Sequence, residues 1–164
     1  MRCEGVMLVT KNIQKAAAFY TDVLKARPFL KLEKHVAFQE GFSLLEESDW
    51  RLFSALGERP VTYRHLAAQL VFETEHMEAF LRRLEAFPDI ELLHPAKEMP
   101  WGRVVVRFYD VDGHVVEVGE SMRLVIKRFL KQGLSVEEAA RRSEFPLAFV
   151  LACREEMEKE ALFT

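Results

Sequence analysis

Among all residues of the chain, a carboxylate inside a valine-rich strand is the strongest candidate for a chemical role. Glu117 lies between Val116 and Val118. Burying an unpaired charge is costly, so this carboxylate must face water, a cation, an arginine or a ligand. Arg103 and Arg107 precede it on a neighbouring strand and are candidates for a cross-strand ion pair. Without such a pair, Glu117 is the candidate acid–base residue of a catalytic site.

The segment that must position Glu117 is a β-hairpin. Residues 100–120 read PWGRVVVRFYDVDGHVVEVGE, with two alternating segments, Arg103–Tyr109 and His114–Glu120, around Asp112-Gly113. An Asp-Gly pair between alternating apolar segments is a strong hairpin signal. Trp101 lies on the turn before the hairpin and can either pack or stack on a planar ligand. Together with Arg103 and Tyr109, it is a candidate ligand-binding residue.

The order of predicted elements occurs twice along the chain. An apolar strand, an amphipathic helix and three short strands are predicted first, and the same order returns after a polar linker containing Pro60. The predicted strands are 4–10, 27–31, 37–39, 42–46, 66–72, 91–93, 103–109 and 114–120, and the helices are 13–24 and 75–87. We therefore divide the chain into a first βαβββ module (1–47), a linker (48–64), a second βαβββ module (65–120) and a helical extension (121–164).

Two motifs carry a resemblance to a known superfamily. Gly5–Val9 followed by Ala18–Leu24 (AFYTDVL), together with the run PWG…FYDVDGHVVEV, resembles the vicinal oxygen chelate superfamily. That superfamily includes glyoxalase I, bleomycin-resistance proteins, fosfomycin-resistance enzymes and extradiol dioxygenases. The resemblance covers residues 4–120, and Lys25 replaces a glycine that is common in the family. It implies an α+β fold in which two βαβββ modules with curled mixed sheets form a cup.

The resemblance also implies where a metal would bind. The family's usual ligands come from the first and fourth strands of each module, which places them at Gly5, Leu45, Gln69 and Glu117. Only Gln69 and Glu117 offer an oxygen donor, whereas a catalytic divalent site needs about three protein ligands. A divalent cofactor (Mn, Mg, Zn, Ni or Fe) therefore stays open, and Gln69 can equally be a hydrogen-bonding residue of a metal-free ligand pocket.

Three functions are compatible with these residues. The gaps at Gly5 and Leu45 favour a glyoxalase/bleomycin-resistance-like protein that binds a small apolar or aromatic ligand in the cup. The alternative is a metal-dependent lyase, isomerase or transferase of the same superfamily, so whether the chain is an enzyme is open. The third is a regulator whose helical tail binds DNA or protein.

The sequence of the helical extension bears on the third function, a regulator whose tail binds DNA or protein. Helices are predicted at 123–132, from the capping box Ser135–Glu138 to about 143, and from Pro146 to about 162, and the tail resembles a helix-turn-helix. The helix that would read DNA in such a motif has the sequence PLAFVLAC, which offers no Arg, Asn or Gln to base edges. The tail has eight basic and seven acidic residues. An apolar packing role, over the cup or in a dimer contact, is the better interpretation.

Bulk composition narrows the class of partner. The chain has 164 residues, a net charge of -3 and a pI of about 6.0, which disfavours nucleic acid as the main partner. Cys3 and Cys153 share no metal-type spacing and are expected to be free thiols. The sequence shows neither a signal peptide nor a membrane span, so a cytoplasmic location is expected. The exposed edges of curled sheets predict a homodimer that binds a small molecule.

Overall fold

Two βαβββ modules followed by three helices make up the chain. A computed structural model describes residues 1–162. The first module contains β1 (Val6–Thr10), α1 (Ile13–Leu24), β2 (Pro28–Lys31), β3 (His35–Phe38) and β4 (Phe42–Glu46), and α2 (Glu47–Phe53) follows it. The second contains β5 (Gln69–Thr74), α3 (Met77–Glu85), β6 (Leu92–Glu98), β7 (Val104–Tyr109) and β8 (Val115–Glu120). The tail contains α4 (Met122–Lys131), α5 (Val136–Ser143) and α6 (Leu147–Leu162). The predicted α+β fold class is confirmed.

The two sheets repeat one strand order. The first runs β1-β4-β3-β2 and the second runs β5-β8-β7-β6. In the first sheet β1 is parallel to β4, while β3 is antiparallel to both of its neighbours. The fourth strand of each module therefore lies inside its sheet, which explains why the segment around Glu117 is rich in valine.

Local sequence fixes the limits of α1. The side chain of Asn12 accepts a hydrogen bond from the backbone N–H of Lys15 at 2.9 Å, which caps the first turn. Lys25 ends the helix in the left-handed region, with φ of 58°. That conformation suits glycine best, and it accounts for the family's glycine at this position. Between the caps, a stripe of apolar residues is buried, namely Ile13, Ala16, Phe19, Tyr20 and Val23.

The predicted linker, residues 48–64, was expected to be polar and without regular structure up to Tyr63, but α2 forms at its beginning. This helix has no buried apolar face, since Leu52 and Phe53 are 72% and 69% exposed. The sequence therefore shows no amphipathic pattern that would predict it. Local electrostatics supports it instead. The ion pair between Arg51 and Glu47 is 2.6 Å long at the i,i+4 spacing, and Glu47 and Asp49 lie in the first turn.

The prediction for β6 was too short because Pro95 interrupts its pattern. Residues 91–93 were expected, whereas the strand covers Leu92–Glu98 and includes Pro95. β6 is an edge strand of the second sheet, where the missing N–H of a proline is tolerated. The strand β5 also begins three residues later than predicted, at Gln69.

The chain forms two compact units. The first contains residues 1–70, 83–92 and 108–116, and the second contains residues 71–82, 93–107 and 117 onwards. The tail helices thus share a unit with parts of the second module. Their core contains Met122, Val125, Ile126, Phe129, Val136, Ala139, Val150 and Cys153. None of the helices within residues 1–162 has the length and apolar character needed to cross a membrane.

Candidate functional site

In the second unit, Glu117 lies between two arginines. The residue is 5% exposed, and its Oε2 lies 2.5 Å from Nη2 of Arg107. Nη1 of Arg103 approaches the other carboxylate oxygen at 3.8 Å. Charge-assisted contacts of this kind offset the cost of burying the carboxylate. Of the environments that the sequence allowed for Glu117, the structure shows the arginine pair.

The guanidinium of Arg103 is held in place by the backbone of β8. Its Nε donates to the carbonyl oxygen of Glu120 at 2.7 Å, and its Nη2 lies 3.8 Å from Oε2 of Glu73. A side chain on Gly119 would collide with this guanidinium. Gly119 is therefore part of the arrangement, and a glycine inside a strand pattern was the sequence signal for such a close approach.

Arg107 has a second partner, His94, that the sequence did not reveal. Its Nη1 lies 3.0 Å from Nε2 of His94, while Nδ1 of the same ring lies 2.7 Å from the carbonyl oxygen of Pro95. A guanidinium only donates and a carbonyl only accepts, so Nε2 is the acceptor and Nδ1 carries the proton. The histidine ring is thus neutral in this arrangement.

The residues at the family's four ligand positions do not fit a divalent metal. A side chain at Gly5 would collide with the carbonyl oxygen of Gly41, and Gly5 has φ of 131°. Leu45 is buried and apolar, and Glu117 already faces two guanidiniums. Within residues 1–162 no group of three or more His, Cys, Asp or Glu side chains is placed to hold a metal ion.

Gln69 lies in the first unit, at the wall of a cavity of about 300 Å³. The walls are mostly apolar, and β1 supplies a third of them. The lining residues are Val6, Met7, Leu8, Val9, Val61, Thr62, His65, Ala68, Gln69, Leu70, His114 and Val115. Its volume is at the lower end of the roughly 300–1,000 Å³ that ligand pockets occupy. The cavity therefore fits a molecule of one or two rings.

Two buried carboxylates organise the turn next to this cavity. Asp112 accepts hydrogen bonds from the Thr10 hydroxyl at 2.5 Å and from the Lys11 N–H at 3.2 Å. Asp110 accepts the Tyr20 hydroxyl at 2.8 Å and the N–H groups of residues 112 and 114. Burial and the nearby Asp110 carboxylate raise the pKa of Tyr20 well above its usual value. The sequence identified Asp112 only as a turn residue and gave no role to Asp110.

A sequence profile of the Glyoxalase-like domain family matches residues 3–123. The chain belongs to the glyoxalase-like family. This places it in the vicinal oxygen chelate superfamily, as its motifs indicated. No protein with a curated description matches the glyoxalase-like chain.

Solved structures resemble this glyoxalase-like chain over about three quarters of its length. A protein of unknown function from Agrobacterium tumefaciens str. C58 is 29% identical, with a TM-score of 0.65, covering 74% of this chain and 94% of that one. Lactoylglutathione lyase from Agrobacterium tumefaciens is 25% identical, with a TM-score of 0.56, covering 71% and 92%. A glyoxalase-related enzyme from Fulvimarina pelagi is also 25% identical, with a TM-score of 0.57, covering 71% and 86%. About a quarter of the glyoxalase-like chain lies outside each match.

The two aromatic candidates of the glyoxalase-like chain have different surroundings. Trp101 is half-buried and packs against the core of the tail helices. Tyr109 lies beneath the guanidinium of Arg64, 4.3 Å from the ring centre, and lines a separate cleft of about 500 Å³ in the first unit. Of the predicted site residues, the structure brings Glu117 and Arg103 together, whereas Trp101 and Tyr109 each contact a different group. Their predicted roles in ligand binding stay predictions.

Proposed function

We propose that this glyoxalase-like chain binds a small apolar or aromatic molecule in the cavity beside β1, and that it does so without a metal. The cavity in the first unit carries this proposal, because valine, leucine, methionine and alanine residues line it together with Gln69. Ligand sites are commonly concave and apolar, with a few polar groups that fix the orientation of the ligand.

The polar groups of the cavity come from four side chains. Thr62, His65 and Gln69 are exposed, and His114 is half-buried, so all four can meet a ligand that enters from solvent. None of them belongs to an aspartate, a glutamate, a lysine or an arginine. The cavity therefore suits a neutral molecule with an apolar body and one or two hydrogen-bonding atoms.

The residues at the family's metal-ligand positions support ligand binding over metal-dependent catalysis. The alternative function is that of a metal-dependent lyase, isomerase or transferase, and the similarity to a lactoylglutathione lyase motivates it. That chemistry needs a polarising cation with several protein ligands. The glycine at position 5, the leucine at position 45 and the ion-paired Glu117 depart from that requirement.

A fragment screen tests the proposal. Small aromatic molecules of one or two rings are added to the full-length protein in metal-free buffer, and binding is measured by ligand-observed NMR. We expect several to bind. We also expect Ala68→Trp, which fills the cavity from an exposed lining position, to weaken binding at least about tenfold, which corresponds to about 1.4 kcal/mol.

Ala148→Trp provides the matched control. Ala148 is an exposed residue of α6 that does not line this cavity, so the same change of side chain should leave binding intact. Binding that needs added Mn²⁺ or Zn²⁺, or that survives Ala68→Trp unchanged, would contradict the proposal.

Two free thiols support a reducing location. Cys3 is exposed and Cys153 is buried, and neither forms a disulfide. We propose a cytoplasmic location, which these thiols support, since exposed thiols persist where thioredoxin and glutathione keep them reduced.

A further inference from the structure

The ring of His114 is held rigidly at the wall of the cavity beside β1. His114 follows the Asp112-Gly113 turn, and its backbone N–H donates to Oδ1 of Asp110 at 2.8 Å. Its Nε2 lies 2.8 Å from the carbonyl oxygen of Val9 in β1. Both the backbone and the far end of the ring are therefore fixed by partners within the first unit.

These contacts fix which ring nitrogen of His114 carries the proton. A backbone carbonyl only accepts hydrogen bonds, so Nε2 must be the protonated nitrogen. In the neutral ring Nδ1 is then an acceptor. Nothing within residues 1–162 hydrogen-bonds to this Nδ1, and it is not sealed from solvent, because His35 Nε2 is the only buried side-chain nitrogen or oxygen in that range without a partner.

The neighbouring aromatic rings hold the imidazole in its plane. Tyr63 and His65 both meet it edge-on, with ring centres 5.9 and 6.3 Å away. Tyr63 is itself anchored, because its hydroxyl donates to Glu47 at 2.7 Å and Lys11 lies over its ring. Binding a ligand at Nδ1 therefore requires little reorganisation of the protein.

We propose that His114 Nδ1 accepts a hydrogen bond from the ligand, so that the cavity selects phenol-type molecules, with an apolar ring and one O–H or N–H donor. This inference rests on the proposed function, which it narrows to a chemical class. Thr62 and Gln69 can each donate or accept, whereas the structure leaves His114 only the acceptor role. A ligand without a donor leaves Nδ1 unpaired when it displaces water.

The test compares two probes that differ in one donor. The affinities of p-cresol and its methyl ether, 4-methylanisole, are measured by NMR titration at about pH 8, where histidine side chains are mostly neutral. We expect p-cresol to bind about five- to tenfold more tightly, as one net hydrogen bond predicts. His114→Phe keeps the ring but lacks both nitrogens, and should reduce this preference to near one. His76→Phe, at an exposed histidine that does not line the cavity, should preserve it.

A second measurement does not depend on the folding of a variant. In long-range ¹H–¹⁵N spectra of the wild-type protein, p-cresol should shift the Nδ1 resonance of His114, whereas 4-methylanisole should not. Equal affinities with an unchanged Nδ1 resonance, or a preference that persists in His114→Phe, would overturn this inference and leave the cavity as a binding site. If neither probe binds, the proposed function fails, and this inference fails with it.

Discussion

At the scale of single residues, Glu117 and its arginines offer the sharpest test of metal chemistry. Arg107 lies 2.5 Å from the carboxylate, and Arg103 faces it on the other side. A cation entering this position would disrupt the attraction between Glu117 and the two guanidiniums. It would also be repelled by their positive charges. The position at which the family resemblance implies a metal ligand is therefore an ion-pair position in this chain.

We expect weak or no binding of divalent metals. Titration calorimetry with Zn²⁺, Ni²⁺ and Mn²⁺ should show no tight one-to-one binding, because two of the four ligand positions lack a donor and a third is ion-paired. Glu117→Gln should leave this result unchanged. Tight binding that Glu117→Gln removes, but that the exposed control Glu85→Gln retains, would contradict the metal-free proposal and support the metal-dependent one.

Tyr20 should make the folded state sensitive to alkaline pH. Burial and Asp110 raise the pKa of Tyr20 in the folded state, while in the unfolded state it stays near its usual value of about 10. The raised folded pKa contributes stability that is fully present below pH ~10, and this stability is lost as pH rises above ~10, where the unfolded state ionises first.

Urea unfolding between pH 8 and 11 tests this effect. The free energy of unfolding of the wild type should fall with pH more steeply than that of Tyr20→Phe, by up to about 1.4 kcal/mol per pH unit from this one group. Tyr63→Phe provides a second test of the same effect, and its slope should also be less steep than that of the wild type. The reason is that the pKa of Tyr63 is raised too, first by burial and then by its hydrogen bond to Glu47. Equal slopes for wild type and Tyr20→Phe would refute the assignment.

At the scale of elements, the tail helices pack as part of the second unit. Phe129 of α4 is 1% exposed, and its ring lies against Gly102, where a side chain would collide with it. Arg128 donates to the carbonyl oxygen of Gly102 at 2.7 Å and pairs with Glu120 at 2.8 Å. The turn before β7 and the end of β8 are thus fixed by α4, which favours a packing role for the tail.

Loss of the Phe129 side chain should destabilise the whole second unit. Phe129→Ala should lower the free energy of unfolding by about 3–5 kcal/mol, the usual cost of deleting a buried phenylalanine. Leu124→Ala, on the same helix but 38% exposed, should cost much less. Chemical unfolding measures both, and similar values for the two variants would show that α4 is not anchored as described.

Deleting the tail extends this test to the three helices together. Removal of residues 121–164 exposes the part of the second unit that packs against the tail helices, including Trp101 and Gly102, so we expect lower solubility and a lower melting temperature. A truncated protein that stays soluble and equally stable, combined with salt-sensitive binding of duplex DNA by the full chain, would instead identify the tail as an independent DNA-binding module.

At the scale of the whole molecule, exposed apolar residues on the first sheet favour a homodimer. Val6 and Met7 of β1 are 52% and 47% exposed, and Phe29 and Leu30 of β2 are 66% and 37% exposed. β1 and β2 are the two edge strands of that sheet. Unpaired edges with apolar side chains are surfaces that proteins usually cover.

We therefore expect self-association in solution. Light scattering at micromolar concentration should give about 38 kDa, twice the chain mass of 19.1 kDa. Phe29→Asp should shift the mass toward that of the monomer, because a charge opposes burial of this position. Leu52→Asp, an equally exposed apolar site on α2, is the control and should not. A wild-type mass near 19.1 kDa would count against the dimer.

Short-range patterns in the sequence determined the elements of this protein. The alternation around Asp112-Gly113 predicted the β7–β8 hairpin, Asn12 marked the start of α1, and Ser135 with Glu138 formed the predicted capping box of α5. These signals depend on residues two to four positions apart, so they can be read without the fold. Where such a signal was weak, as in α2 and in β6 with Pro95, the prediction failed.

The partners of charged and polar side chains were decided only by the tertiary structure. Asp112 meets Thr10 across 102 residues of chain, and Asp110 meets Tyr20 across 90. The sequence does not distinguish a carboxylate that binds a hydroxyl from one that binds a guanidinium, a metal or water. The partner that offsets the free-energy cost of burying the carboxylate depends on which distant segments pack beside it. For this reason the sequence singled out Glu117 as a residue that needs a partner, and the fold determined that the partner is arginine.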